Sequence, residues 1–155
     1  AASARPLAAF LQGFCAGGEE GLFQRAFAAL GLSPQECRAA RLLPTAQAFT
    51  DFLVATAYDG SFAEVLTCLF VTEGTYVDWS RRQTRAGHLP QDPFYREWIE
   101  IHASVELKGF VDWVKGWLNT TSLGEREREG VERVFAAALR HELAFWEMAY
   151  HGDDR

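Results

Sequence analysis

The chain has 155 residues, of which 48% are hydrophobic and 14% aromatic, and it carries five tryptophans and a formal charge of −6. A chain of that length buries roughly two-thirds of its unfolded surface, so the composition argues against disorder and for a core able to enclose a pocket. The negative charge, opposed only by the short Arg81-Arg82 and Arg126/Arg128 pairs, excludes nucleic acid as a partner, and no apolar run approaches the roughly 18 residues that cross a bilayer, which excludes a membrane-spanning protein.

In chain order, 3.6-residue periodicity predicts helices near 6–15, 19–30, 34–41, 45–58, 62–85, 93–103, 105–118 and 123–150. Period-2 alternation is missing, so the expected fold is an all-α helical bundle, with residues 1–155 as one domain. Ser33-Pro34 and Pro44-Thr45 are helix starts, Ser61-x-x-Glu64 and Ser122-x-x-Glu125 read as capping boxes, and Asp92-Pro93 places an N-cap before a proline suited to the first turn. Gly17-Gly18, Gly87 to Pro93 and Asn119 to Gly124 are expected loops. The first three segments have broad apolar faces, as in Leu22, Phe23, Phe27 and Leu30, suited to packing against further helices. The sequence starts at Ala1, as expected if a few residues are processed away or if a longer protein precedes it. Cys15, Cys37 and Cys68 are odd in number and widely spaced, which points to a reducing cytoplasm.

The most informative anomaly lies in the last helix. Val131, Phe135, Ala138, Glu142, Phe145 and Ala149 recur at intervals of four and three, which puts a carboxylate into a core-facing stripe. An ionised acid there must be paired, hydrogen-bonded or held near neutrality by a raised pKa, and the last condition suits a general acid/base. Pairing with an arginine at the edge of the stripe is the structural alternative. On the 62–85 helix, Phe62, Leu66, Leu69, Glu73 and Tyr76 share the same spacing, with Thr72 one turn before Tyr76. Tyr95, Ile99 and His102 align on the 93–103 helix, where His102 reads first as a core histidine. Trp98, Trp113, Trp117 and Trp146 read as packing, and Cys68 as a small buried hydrophobe.

Metal is the rival use for inward Glu and His. Di-iron bundles need Glu-x-x-His pairs, and no Glu precedes His88, His102, His141 or His151 by three residues. No metal and no cofactor is therefore expected, although His102 is the one residue that could act as an axial haem ligand. Neither a G-x-S-x-G motif nor a Cys set beside a His is present to suggest nucleophilic catalysis.

Three stretches together carry a resemblance: Gly60-Ser61-Phe62-Ala63-Glu64-Val65-Leu66, Pro93-Phe94-Tyr95-Arg96-Glu97-Trp98-Ile99, and Glu142-Leu143-Ala144-Phe145-Trp146-Glu147-Met148-Ala149-Tyr150. With Phe49 following Pro44-Thr45, they make the chain resemble the TenA/thiaminase II family from about Leu7 to Tyr150. The resemblance implies an all-α fold of the haem-oxygenase type, a dimer or tetramer, and a small pyrimidine ligand held between aromatic rings. It also implies hydrolysis of thiamin or an aminopyrimidine for pyrimidine salvage. It places the family's catalytic Glu at Glu142 and its stacking Phe at Phe145.

Departures from the family pattern accompany the match. Counted from Gly60-x-Phe62-Ala63-Glu64, the nucleophilic Cys of the family falls at Thr72, with the following Tyr kept at Tyr76. Phe49 and His102 stand where pocket tyrosines are expected. The family's first helices, with an Asp that holds the substrate's amino group, have no counterpart, so the bundle is expected to lack its first helices. A subgroup without the Cys uses a Glu instead, which makes Glu73 a candidate. The expected function is thus a pyrimidine-directed hydrolase with Glu142 as acid/base, Thr72 and Glu73 beside it, and Phe49, Tyr76, His102 and Phe145 as ligand contacts. The alternative is a non-catalytic binding or regulatory protein on the same fold.

Overall fold

Proline, serine, aspartate and glutamate set most of the helix starts. The computed structural model describes residues 5–15 and 18–152. Among them are helices α1 (Arg5–Cys15), α2 (Gly18–Ala29), α3 (Pro34–Ala39), α4 (Pro44–Asp59), α5 (Phe62–Ala86), α6 (Pro93–His102), α7 (Val105–Thr120) and α8 (Glu125–His151), and no strand. The architecture is all-α, as the periodicity requires, and each helix end falls within two residues of its expected position. The side chain of Cys15 and the backbone of Gly17 lie outside the described residues.

At α5 the capping box forms as spaced: the Ser61 N–H donates to Glu64 Oε2 at 2.7 Å and the Glu64 N–H donates to Ser61 Oγ at 3.3 Å. Asp92 Oδ1 caps α6 by accepting from the N–H groups of Phe94 and Tyr95, with Pro93 in the first turn. Ser33 and Glu36 close the equivalent box on α3. The start of α8 departs from the expected Ser122-x-x-Glu125 box. Its N-cap is Gly124, whose N–H donates to Glu127 Oε2 at 3.1 Å, so the acid two residues later wins the capping position and the helix begins at Glu125. Gly87, at φ +70°, ends α5 in the left-handed conformation that glycine adopts without strain.

The chain divides into two compact units, each assembled from two stretches of sequence. Unit 1 comprises Ala1–Ala40 and Thr75–Trp113, and unit 2 comprises Arg41–Gly74 and Val114–Arg155, so α5 and α7 each contribute to both. In unit 1, α2 packs on α6 and α1 packs on α2. Leu22, Val77, Ile99, Phe110 and Val111 are buried there, and Phe10 stacks on Phe110 with ring centroids 4.0 Å apart. The broad apolar face of α2 is only partly used: Leu22 is buried, while Phe23, Phe27 and Leu30 are exposed.

In unit 2, α4 packs along α8. Ala63, Leu66, Cys68, Val71, Val114 and Ala138 form the core, and Phe62 meets Trp117 edge-on at 5.1 Å. Buried hydroxyls are satisfied within their own helices: Thr67 donates to the Ala63 carbonyl at 2.7 Å and Thr56 to that of Phe52 at 2.8 Å. Gly130 on α8 is buried because the Glu64 carboxylate lies against it, and a Cβ at this position would collide with Glu64 Oε1. Arg133, one turn further along, lies 3.8 Å from the same carboxylate. The capping acid of α5 thereby doubles as a packing contact with α8.

The buried stripe of α8 differs from its expected course. Ala138 and Glu142 are buried and Val131 and Phe145 half-buried, as the spacing requires, but Phe135 is 40% exposed and Ala149 is exposed. The inward face includes Gly130, Val134, Ala138, Glu142, Phe145 and Met148. A glycine adds nothing to a hydropathy pattern, so the true start of that face is hidden in the sequence.

Candidate functional site

A cavity of about 320 Å³ lies within unit 2, near the lower end of the size range for small-molecule sites. Helix α4 supplies Phe49, Leu53, Thr56 and Ala57 to its wall, α5 supplies Val65, Cys68, Leu69, Thr72 and Glu73, and α8 supplies Glu142. The α5 residues recur at three- and four-residue steps, which is why one helix face can present apolar side chains, a thiol, a hydroxyl and a carboxylate to the same space.

Glu142 is 4% exposed, and its Oε2 has no hydrogen-bond partner among the described residues. Burial, with a smaller contribution from the like charge of Glu73, pushes its carboxyl up to about 7. A carboxyl in this state holds and releases a proton near neutral pH, whereas a fully paired buried acid would be fixed as the anion. The arginine pairing weighed as the alternative is absent among the described residues, where no ion pair includes Glu142 and the α8 residue Arg133 lies at Glu64.

Cys68 lines the same cavity and is buried. Burial first, then the Glu142 charge, raises its thiol to about 11, so it is protonated at neutral pH and is a poor nucleophile. It behaves as the small hydrophobe its setting suggests, but inside the cavity. Thr72, at the family Cys position in the resemblance, also faces the cavity, and its hydroxyl makes a long bond of 3.4 Å to the Leu69 carbonyl.

Phe49 forms an aromatic wall and is held from two sides. The His141 ring lies parallel to it, 4° off with centroids 5.5 Å apart, and Phe145 meets it edge-on at 6.0 Å. His141 also stacks on Phe52 at 4.7 Å, and burial, then Arg140, lowers its pKa. Phe145 thus abuts the wall residue and is not itself among the cavity-lining side chains. His141 and Thr56 were given no role by the sequence. Their signal was present, since His141 sits beside Glu142 and Thr56 lies seven residues after Phe49 on the same helical face.

Tyr76 and His102 belong to unit 1 and cluster there with Trp98. The Tyr76 ring lies 5.0 Å from that of His102 and 5.8 Å from that of Trp98. Trp98 Nε1 donates to Glu19 Oε1 at 2.9 Å, the same oxygen lies 3.5 Å from His102 Nε2, and His102 Nδ1 lies 2.8 Å from the Trp98 carbonyl oxygen. Thr72, Glu73, Phe49 and Glu142 are therefore brought together around the unit 2 cavity, and Tyr76 and His102 lie in an aromatic cluster of unit 1. Among the described residues no group of three or more His, Cys, Asp or Glu could hold a metal ion, and no helix is long and apolar enough to cross a membrane.

The model of the TENA/THI-4/PQQC family matches residues 12–152. An aminopyrimidine aminohydrolase of Halalkalibacterium halodurans is 30% identical over 124 residues, covering 79% of this chain and 55% of that protein. A second aminopyrimidine aminohydrolase, from Bacillus subtilis, is 26% identical over 130 residues, 78% of this chain and 51% of its own length. An uncharacterized protein of Haemophilus influenzae is 29% identical over 126 residues, 76% of this chain and 56% of its length. The chain thus spans about half the length of the curated relatives it matches. No solved structure gives a significant match.

Proposed function

The chain belongs to the TENA/THI-4/PQQC family, and from that premise we propose that the cavity of unit 2 binds an aminopyrimidine or a thiamin-related compound and hydrolyses it, with Glu142 moving the proton. The observation that carries this reading is the Glu142 carboxyl, 4% exposed and with one oxygen unpartnered among the described residues, lining a cavity whose wall is mostly apolar. Two relatives named as aminopyrimidine aminohydrolases supply the substrate class.

For an amine substrate the reaction is R–NH2 + H2O → R–OH + NH3. As the carboxylate, Glu142 takes a proton from the attacking water while the new C–O bond forms. As the acid, it returns that proton to the departing nitrogen as the C–N bond breaks. A carboxyl near 7 serves both halves at neutral pH. Glu73 supports it by keeping a second negative charge nearby, which favours the protonated form. Thr72 offers a hydroxyl in the cavity wall, a weak nucleophile that suits direct attack by water better than a covalent route. Phe49, clamped by His141 and Phe145, supplies the flat wall for the ring. Assembly as a dimer or tetramer in the cytoplasm completes the proposal; the exposed Leu139, Leu143, Trp146 and Tyr150 of α8 are apolar surface suited to such an interface.

The test is incubation of the protein with an aminopyrimidine and, separately, with thiamin, following ammonia and free pyrimidine. Turnover of either that disappears in Glu142→Gln is the expected result. Turnover undiminished by that substitution, or no binding of either compound, overturns the proposal.

A further inference from the structure

Beside its buried face, helix α8 carries a second apolar stripe. Phe135, Leu139, Leu143, Trp146 and Tyr150 follow at intervals of four and three, which sets them on one side of the helix. All five are exposed, by 40%, 41%, 64%, 38% and 84% in that order. The stripe runs about 22 Å along the helix axis. Toward the helix start the same face continues with the exposed Glu132 and Arg128, so its apolar part ends at Phe135. With large side chains offering roughly 150–250 Å² each, those fractions leave roughly 500 Å² of contiguous apolar surface, a size that marks an interaction site. Two such stripes laid together remove roughly 1,000 Å² from water, the area at which specific interfaces begin.

The charges flanking the stripe choose the direction of such a pairing. Arg140 and Glu147 are both exposed and lie seven residues apart, on the same side of the stripe. Glu147 also approaches His151, 3.5 Å away, in an exposed pair. Two turns of helix, about 10 Å, separate Arg140 from Glu147, too far for a bridge within one copy. In a parallel pair of helices each residue lies level with its own counterpart, which sets arginine near arginine and glutamate near glutamate. In an antiparallel pair with its two-fold axis near Leu143, Arg140 of each copy meets Glu147 of the other, and the match occurs twice.

We propose that two copies of this chain pair through α8, antiparallel, with Leu139 against the partner's Tyr150 and Leu143 against the partner's Trp146. This rests on the assembly proposed above and specifies its surface and direction, and it makes no use of the cavity's chemistry. The alternation of four and three is the spacing that keeps a seam facing a neighbouring helix at a shallow crossing angle. An isologous contact of this kind is closed, so it consumes the apolar surface of both copies and leaves none to recruit a third. The apolar seam supplies the affinity. Arg140 and Glu147, at its rim, add little to that and act by penalising the parallel alternative. Because α8 lies wholly within unit 2, the pairing engages that unit alone.

Analytical ultracentrifugation of the whole chain tests the pairing, and the wild type is expected to sediment as a dimer at micromolar concentration. Leu143→Lys, at an exposed position beside the two-fold axis, should raise the dimer dissociation constant at least about 100-fold, because pairing then buries two like charges. Arg140→Glu, which sets acid against acid at both ends of the seam, should raise it about 3- to 10-fold. Adding Glu147→Arg to that variant restores opposite signs across the pair and should return the constant to within about twofold of wild type. A folding defect in the single variant would not be repaired in this way, and unchanged far-ultraviolet circular dichroism of the monomers confirms that α8 is intact. A dimer that Leu143→Lys leaves undisturbed overturns the α8 surface while the proposed assembly stands. A double variant no tighter than Arg140→Glu alone overturns the antiparallel direction. A monomeric wild type overturns pairing and assembly together and leaves the stripe to a different protein, while ammonia release from an aminopyrimidine decides the hydrolase reading separately.

Discussion

Each unit buries a cluster of polar and aromatic side chains, and the two clusters differ in how their polar atoms are satisfied. In unit 1, Glu19 accepts from Trp98 Nε1 and approaches His102 Nε2, and the other ring nitrogen of His102 meets a backbone carbonyl oxygen. Arg81, although its buried Nε has no partner among the described residues, is anchored through Nη1 to the Ala103 carbonyl at 2.9 Å. In unit 2 the Glu142 carboxyl has an oxygen with no partner among the described residues, and it faces a cavity. A polar group that is buried and bonded holds helices together, whereas one that is buried, unbonded and beside empty space is kept at a cost to stability, and such a cost points to use.

The largest expected contrast is in turnover. Glu142→Gln keeps the side chain's shape and removes its titratable proton, so hydrolysis of an aminopyrimidine should fall by about 10²- to 10⁴-fold, the usual contribution of a general acid/base. Steady-state kinetics should show the loss in kcat more than in KM, because a ring stacked on Phe49 is still held. A loss confined to KM would make Glu142 a binding group only and blur the distinction between the two clusters.

The same substitution should act on stability in the opposite direction. The protonated form of Glu142 contributes stability that is complete below the free value of 4.5 and lost as pH rises through about 7. Above that range the folded protein carries a buried carboxylate that glutamine does not. Glu142→Gln is therefore expected to raise stability by about 1–3 kcal/mol at pH 8.5 and by much less at pH 5, read as the midpoint of urea unfolding at the two pH values. Equal midpoints at pH 8.5 would mean that the carboxyl finds a partner in solution.

Packing within unit 2 offers a smaller test. Gly130→Ala forces the Glu64 carboxylate away from α8, and Glu64 cannot swing freely because the same group accepts the Ser61 N–H. Loss of that cap and local overpacking together should cost about 1–2 kcal/mol. The bonds to Ser61 hold Glu64 below the ordinary carboxylate range, so the wild-type cap itself should weaken only in acid.

These residues also mark what could be read in advance. Helix positions were legible because Asp92-Pro93, Ser33-Pro34 and Ser61-x-x-Glu64 are local signals, and the bonds they imply are all formed. The start of α8 was not, since two acids at the right spacing, Glu125 and Glu127, compete and only backbone geometry chooses between them. Glu142 was legible as an acid inside an apolar stripe, and Phe49, Thr72 and Glu73 prove to share its cavity. Cys68 facing that cavity, and His141 bracing Phe49, depend on how α4, α5 and α8 meet, which no single-helix pattern encodes. Within unit 1 the Tyr76 ring packs with Trp98 and His102, partners on α6 that the spacing of α5 does not reveal.

The smallest expected effect lies in unit 1 and sharpens the comparison from the other side. Glu19 is the acceptor that links α2 to α6, with Arg25 and Glu97 forming a second bridge between the same helices at 2.5 Å. Glu19→Ala removes the bond that the half-buried Trp98 Nε1–H donates to Glu19, and a lost bond of this kind costs about 1 kcal/mol. The exposed Arg25–Glu97 pair, solvated on both sides, compensates little. Thermal unfolding should thus register a modest decrease, while calorimetric affinity for 4-aminopyrimidine should stay within about twofold of wild type, because Glu19 meets its own hydrogen-bonding needs inside unit 1. If affinity instead fell tenfold with stability unchanged, the bonded cluster would be taking part in ligand recognition, and satisfaction of hydrogen bonds would no longer separate a structural cluster from a functional one in this protein.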